Sequence, residues 1–279
     1  MYINPIQANN PFLKIKTRVT GLRKNEVTFI DMITNDPSMP MDYVQISDSK
    51  NMLCPHVPND QFFHRESTKK TKIVIDFSEC ELEEAFRKNS RSTGCSVNFL
   101  VARNGAIIKM FDSKYWSSYF TKPPVGGSSV SKGSIGISLI GYGKLDFYRP
   151  LNLLSIPNCK KKGENVYCFV TDKNSYIKLD VPFRGCSYFT RPTEDQLSAL
   201  GILLDYLCEK HGIPKRVLPE NERNSVFRNP REARNYSGIT FAANYGTSDE
   251  YAFPPGYMDC LFGKYDQCAP ERVFGAEEE

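Results

Sequence analysis

The stretch KGSIGISLIGYG at residues 132–143 decides the fold, together with KIVIDF at 72–77 and SVNFLVARNG at 96–105. Each is a short run dominated by isoleucine, valine, leucine or phenylalanine, which is the composition of buried strands. The dipeptide Asn104-Gly105 suits the positive φ angles of a tight turn. We therefore predict a hairpin from a strand at 98–101 into a second strand at 106–111.

Helices are predicted between and after these strands. Residues 81–88 have a helical composition, and residues 193–211 carry leucines along one face. Thr193 is placed as the N-cap and Gln196 as its capping-box partner, while Gly212 ends the helix. Strands interleaved with helices predict an α/β fold with a mixed central sheet flanked by helices.

The chain is expected to have three parts: a β-rich N-terminal extension, an α/β domain that contains an inserted β segment, and a C-terminal tail. Their predicted bounds are 1–65, 66–265 with the insertion at 149–188, and 266–279. The extension is assigned from alternating apolar and polar residues at 12–20 and 26–34 and from a strand-like run at 43–47. Such strands either form a docking element or lengthen the edge of the main sheet.

Composition excludes several classes of partner. With 40% hydrophobic and 24% charged residues the chain is typical of globular proteins. Lys and Arg total 36 against 32 Asp and Glu, and a dispersed net charge of +4 does not predict nucleic-acid binding. No run is long and apolar enough for a membrane span, and the first residues lack the features of a signal peptide. We expect a chain made in the cytoplasm.

The nine cysteines show no spacing typical of a metal site. Most lie in apolar runs, which favours reduced cysteine packed as a small apolar side chain. A disulfide between Cys159 and Cys168 across a hairpin is the alternative. Cys95 as a nucleophile would need a nearby base, and the sequence places no histidine near it.

The order of the motifs resembles the zinc-dependent N-acetylmuramoyl-L-alanine amidases and the related peptidoglycan recognition proteins. That family has a strand ending in His, a Tyr-His-Phe strand before an Arg-Asp-Gly turn and a Trp-His loop. These motifs are followed by a Ser-Ile-Gly-Ile-Glu strand, a Thr-x-x-Gln helix ending at Gly-Ile-Pro, and a late His before Asp-Pro-Gly. The counterparts here are segments 73–77, 97–99 before 103–105, 116–117, 134–138, 193–196 running into 212–214, and 238–256.

This chain departs from the family at the positions that the resemblance implies for zinc. Asp76 stands where the first His is expected, and Pro254 stands for the Asp of Asp-Pro-Gly. The late His falls on Ala242, or on Glu220 under a different alignment of the loop. Hydrolytic zinc needs three protein donors and an open position for water. We therefore expect no bound metal, no cofactor and no amidase activity.

Three further positions differ from the family in the same way. Val97 occupies the place of the catalytic Tyr, Ser117 that of the Trp-His histidine, and Ser138 that of the strand Glu. The three histidines, His56, His64 and His211, lie elsewhere, and a relocated site of His64, Asp76 and Glu220 is the remaining alternative for a metal.

We therefore expect a catalytically inactive amidase-like module with a structural or binding role, either in a bacteriophage tail or other virion assembly or in binding peptidoglycan. Its partners would be other protein subunits, or peptidoglycan held in the former active-site cleft. Alternatives are an active zinc amidase with rearranged ligands and an inhibitor that occupies a partner's cleft. The cleft residues expected to remain are Asp76, Asn98, Tyr115, Trp116, Ser117 and Tyr245.

Overall fold

The structure is a computed structural model that describes residues 25–57, 61–91, 96–120, 123–157, 166–246, 253–254, 256–263 and 265–267. Six helices are described: α1 (residues 25–34), α2 (Leu82–Arg91), α3 (Ser128–Gly133), α4 (Glu194–His211), α5 (Pro230–Asn235) and α6 (Asp259–Phe262). Short 3-10 turns occupy Arg149–Leu151 and Ala242–Tyr245. The first seven strands are β1 (Met41–Ser47), β2 (Lys50–Pro55), β3 (Lys72–Phe77), β4 (Phe99–Val101), β5 (Ile107–Lys109), β6 (Ser134–Leu139) and β7 (Lys144–Tyr148). The other seven are β8 (Leu153–Ser155), β9 (Val166–Phe169), β10 (Tyr176–Phe183), β11 (Cys186–Thr190), β12 (Arg216–Val217), β13 (Gly238–Phe241) and β14 (Asp266–Gln267).

The main sheet has nine strands in the order β1-β2-β5-β4-β6-β3-β13-β12-β14. Its centre is parallel, because β4, β6, β3 and β13 all run in one direction, whereas β5 runs antiparallel to β4. Helix α4 packs its leucines against the face formed by Ile73, Ile75 and Ile137. The predicted α/β fold with a mixed central sheet is confirmed.

A second sheet is built from the inserted segment. It has five antiparallel strands in the order β10-β11-β7-β8-β9, so it includes β7 as well as the predicted insertion at 149–188. Strands β1 and β2 join the edge of the main sheet through β5, which is one of the two arrangements expected for the extension. The exact domain bounds remain a prediction. Strand β14 pairs with β12 in the main sheet, although residues 266 and 267 were assigned to the tail.

The strand predicted at 26–34 is wrong, because residues 25–34 form helix α1. Its buried side chains are Glu26, Phe29 and Ile33, whereas Val27 and Met32 are exposed. Spacings of three and four residues bury one face of a helix, and this pattern prevails over the preference of β-branched residues for strands. The strand predicted at 12–20 lies outside the described residues.

Helix α4 begins and ends as its sequence predicts, with one difference. The Thr193 side chain accepts a hydrogen bond from the Gln196 backbone N–H at 3.1 Å, and Gly212 adopts φ 64° at the other end. The Gln196 side chain does not complete a capping box. Its Nε2 donates to the carbonyls of Val101 (2.9 Å) and Ile140 (3.0 Å), so it fixes the start of α4 to the ends of β4 and β6.

The cysteines that the structure describes are free. Cys54, Cys80, Cys168 and Cys208 are buried and Cys186 is partly buried, none of them in a disulfide. Cys168 therefore does not form the disulfide with Cys159 that was considered. Among the described residues no helix is long and apolar enough to cross a membrane.

Candidate functional site: the carboxyl ends of the central strands

The central parallel strands bring two of the positions that the resemblance assigns to family zinc ligands onto one face of the sheet. Asp76 on β3 pairs with Ser138 on β6, and Ile75 pairs with Phe241 on β13. Ala242 follows Phe241 directly and is therefore level with Asp76. Since side chains alternate along a strand, Asp76, Ser138 and Ala242 lie on the face opposite helix α4.

Asp76 is in an unusual environment for a carboxylate. Its Oδ1 is shielded from solvent and has no hydrogen-bond partner among the described residues, although the residue as a whole is partly exposed. Desolvation raises the pKa of Asp76 to about 7, a hydrogen bond with Ser138 acts to lower it, and the charge of Glu79 raises it further. Near neutral pH this group is therefore a mixture of carboxylic acid and carboxylate.

Two more unpartnered polar atoms lie in the same part of the sheet. Asn98 is buried, its Oδ1 accepts from the Gly136 backbone N–H at 2.9 Å, and its Nδ2 has no partner within the described chain. Tyr119 also has a buried hydroxyl without a partner there. Its ring carbon Cδ1 is 3.5 Å from where a Cβ on Gly136 would lie. The Tyr119 hydroxyl is thus beside the strand that carries Ser138, and the charge of Asp76 contributes to its raised pKa, of which desolvation is the main cause.

Several residues expected to line an open cleft are instead part of the core. Asn98, Ser117 and Tyr245 are at most 2% exposed. Ser117 donates to the Ser96 carbonyl, and the Tyr245 hydroxyl lies 3.2 Å from Thr240 Oγ1. Their role in contacting a ligand stays a prediction.

Trp116 is partly exposed, but its ring and its indole N–H already contact neighbouring side chains. Its ring stacks on His64 with centroids 4.0 Å apart, and its Nε1 donates to Glu66 at 2.9 Å. The Lys132 ammonium lies 5.0 Å from the ring centroid and pairs with Glu66. Tyr115 is likewise partly exposed and stacks on Phe63. These contacts tie the 115–117 loop to neighbouring segments.

Pro254 lies in a different place from Asp76 and Ala242. It lines a pocket with an empty volume of about 270 Å³ together with Glu220, Arg223 and Tyr257, a pocket that neither Asp76 nor Ala242 lines. Arg223 forms an ion pair with Asp259 at 3.0 Å nearby. The structure therefore brings together Asp76 and Ala242, two of the three expected ligand positions. Glu220 lies beside the third, Pro254.

The donor set does not fit a zinc ion. Within the described residues, no three side chains of His, Cys, Asp or Glu are grouped so that they could hold a metal. Each histidine is engaged elsewhere: His56 Nε2 contacts Asp42 at 2.6 Å, His211 Nε2 contacts Ser113 Oγ at 2.8 Å, and His64 stacks on Trp116. The relocated site of His64, Asp76 and Glu220 is not assembled.

Sequence reasoning placed Tyr119 along the former cleft, but it missed the unpartnered Tyr119 hydroxyl and Glu66 as the anchor of Trp116. Glu66 lies 50 residues from Trp116 in the chain. No motif connects two positions that far apart.

Comparison with known proteins finds a matching family and similar solved structures. The model of the family described as N-acetylmuramoyl-L-alanine amidase matches residues 63–227. A solved structure of AmiD, an N-acetylmuramyl-L-alanine amidase from E. coli in complex with the substrate anhydro-N-acetylmuramic acid-L-Ala-D-gamma-Glu-L-Lys, is 14% identical. That similarity covers 64% of this chain and 55% of the AmiD chain, with a TM-score of 0.34. No curated protein matches.

The mixed sheet and the motif order define an α/β protein of the amidase class. Because the family model spans more than half of the chain, the protein belongs to the N-acetylmuramoyl-L-alanine amidase family. The resemblance identified from the sequence is thereby confirmed. The matched region ends at residue 227, before Ala242 and Pro254.

Proposed function

We propose that this protein is a catalytically inactive member of the amidase family that serves a structural or binding role. The observation that supports the proposal is the register that brings Asp76 and Ala242 together, the two positions to which the sequence resemblance assigns metal-binding histidines. The family match ends before the late loop, which supports the view that this loop has diverged most.

The chemistry of the remaining donors supports inactivity. A hydrolytic zinc site uses three protein donors and lowers the pKa of its bound water to about 7. Ala242 offers no donor, and Asp76 is partly protonated near neutral pH. A single carboxylate, which near neutral pH is also bound in part by a proton, is too little to displace water from a divalent ion.

The contacts around the former cleft favour a protein partner over peptidoglycan. Trp116 is held by His64, Glu66 and Lys132, and Asn98 and Tyr245 are buried. The inserted sheet, by contrast, exposes large apolar side chains, as exposed patches at interaction sites do. They are Phe147, Tyr148, Leu151 and Val181. We propose that the chain contacts other subunits of an assembly such as a phage virion, where members of this family occur.

An active zinc amidase with rearranged ligands is the second candidate. The Asp76 carboxylate favours it, because an oxygen donor without a hydrogen-bond partner lies at the strand end where the family binds zinc. A histidine from outside the described residues is not available to complete such a site, since all three histidines of the chain are described. The ligands would have to include Asp76 and further carboxylate or thiolate groups.

Two measurements on the purified full chain separate these candidates. Elemental analysis after incubation with zinc and desalting is expected to find no stoichiometric zinc. Incubation with purified peptidoglycan is expected to release no muropeptides, with an active zinc amidase as the positive control. Stoichiometric zinc together with muropeptide release that a chelator abolishes would refute the proposal. Sedimentation of the chain with peptidoglycan sacculi, compared with its self-association in sedimentation velocity, then distinguishes wall binding from assembly.

A further inference from the structure

A second cavity lies beyond the carboxyl ends of β3, β4 and β6, apart from the Asp76 face. Its empty volume, including space open to solvent, is about 490 Å³. Helices α1 and α2, the loops after β4 and β6, and the inserted sheet form its walls. The lining side chains that matter here are Glu26, Glu81, Arg103, Tyr142 and Tyr167. Ligands of open α/β sheets bind outside the carboxyl ends of the strands.

Arg103 supplies a cation to this cavity. Its guanidinium donates to the Arg191 carbonyl at 3.2 Å and lies close to the Tyr167 hydroxyl. Within the described chain it forms no ion pair. A guanidinium has five N–H donors in a fixed fork that matches a carboxylate, so Arg103 retains donors for an anionic group.

Glu81 supplies an anion on another wall of the same cavity. Its Oε1 accepts a hydrogen bond from the Tyr142 hydroxyl at 2.9 Å, and no ion pair is found for it in the described parts of the chain. Glu26 is close enough to add negative charge, although its own oxygens accept the backbone N–H groups of Arg103 (3.1 Å) and Asn104 (3.0 Å). Two nearby carboxylates favour a cation between them.

We propose that this cavity binds a small zwitterion, either a free amino acid or a short peptide with both termini free. Arg103 receives the carboxylate, and Glu81 with Glu26 receives the ammonium group. A cation and an anion that line one cavity without pairing with each other fit a ligand that carries both charges. The inference is independent of whether the amidase site is active, because it uses other residues.

Isothermal titration calorimetry on the full chain with L-alanyl-L-alanine tests the proposal. The matched probes are N-acetyl-L-alanyl-L-alanine, which lacks the ammonium group, and L-alanyl-L-alanine amide, which lacks the carboxylate. Each capped probe is expected to bind at least about tenfold more weakly, because each loses one charge-assisted contact. Absence of saturable binding of the zwitterion, or equal affinity for all three probes, would overturn the proposal.

Variants assign the two ends of the ligand. Arg103→Gln is expected to weaken binding of the zwitterion about tenfold, so that the zwitterion no longer binds more tightly than the amide probe. Glu81→Gln is expected to remove the tighter binding of the zwitterion relative to the acetylated probe. Arg231→Gln, on the exposed surface of α5, is the control and should change neither. Unchanged binding in both charge variants, with native circular dichroism, would refute the assignment.

Discussion

Replacing Asp76 by asparagine changes how the stability of the protein depends on pH. The pKa of Asp76 is about 7 in the folded protein, against about 3.9 for an unfolded chain. The folded state therefore holds this proton more tightly than the unfolded state. The resulting contribution, about 4 kcal/mol, is fully present below pH 4 and is lost as the pH rises through 7.

The assay is urea unfolding of the wild-type chain and of Asp76→Asn between about pH 5 and pH 8. The wild-type free energy of unfolding is expected to fall by about 3 kcal/mol more than that of the variant across this range. Asparagine cannot ionise, so the difference between the two proteins isolates this one group. Asp146→Asn, at an exposed position on β7, is the control and should follow the wild type.

The reasoning is refuted if the difference in free energy of unfolding between the wild type and Asp76→Asn does not vary with pH. That result would mean that the Asp76 carboxylate is solvated, or paired with a cation, in the folded protein. A wild-type free energy of unfolding that rises relative to that of the variant as the pH increases would reverse the sign and indicate a depressed pKa, as a bound metal ion would cause. Ser138→Ala provides a second check, because loss of its hydrogen bond should move the transition to higher pH.

Three other variants test the packing and the donor set. Lys72→Met should destabilise the fold by about 2 kcal/mol in urea unfolding, because the buried Lys72 ammonium donates to two carbonyls at the end of α5, each at 2.8 Å. The control variant Lys178→Met, at an exposed site, should have no measurable effect. Gln196→Leu should cost about 2 kcal/mol in the same assay, since the buried Ile140 carbonyl loses the amide donor and the Val101 carbonyl keeps only the Ile140 backbone N–H. The double variant Asp76→His with Ala242→His should gain zinc affinity in a competition assay with a chromogenic chelator, because Ala242 directly follows Phe241, which pairs with Ile75 beside Asp76. No gain in zinc affinity by a folded double variant would contradict the register that brings them together.

The sequence predicted the parts of the fold that depend on local composition. Strands β3 and β6 and helix α4 are long apolar runs or periodic segments, and their caps and turns use residues with strong local preferences. Helix α1 was missed because its residues favour strands while its burial has helical spacing. Strand β14 has two residues, which is too few for any periodic pattern.

The candidate site was predictable only in its chemistry. Residue types alone indicated that Asp76 and Ala242 cannot replace two histidines. That they lie side by side follows from the register of β13 on β3, which no local pattern reveals. Pro254 lies in a separate pocket, and the burial of Asn98 and Tyr245 depends on contacts between distant segments.

The topology also limits how a metal site could have moved. Helix α4 starts beside the carboxyl ends of β4 and β6 through Gln196, so His211 lies about 22 Å further along its axis. His56 follows β2, which is four strands from β3 in the sheet order, a lateral distance of about 19 Å. Only His64 remains, and to reach Asp76 it would have to give up its stacking on Trp116. A site rebuilt around Asp76 can therefore contain at most one imidazole, whereas the family pattern uses two, and this holds for any rearrangement that preserves the main sheet.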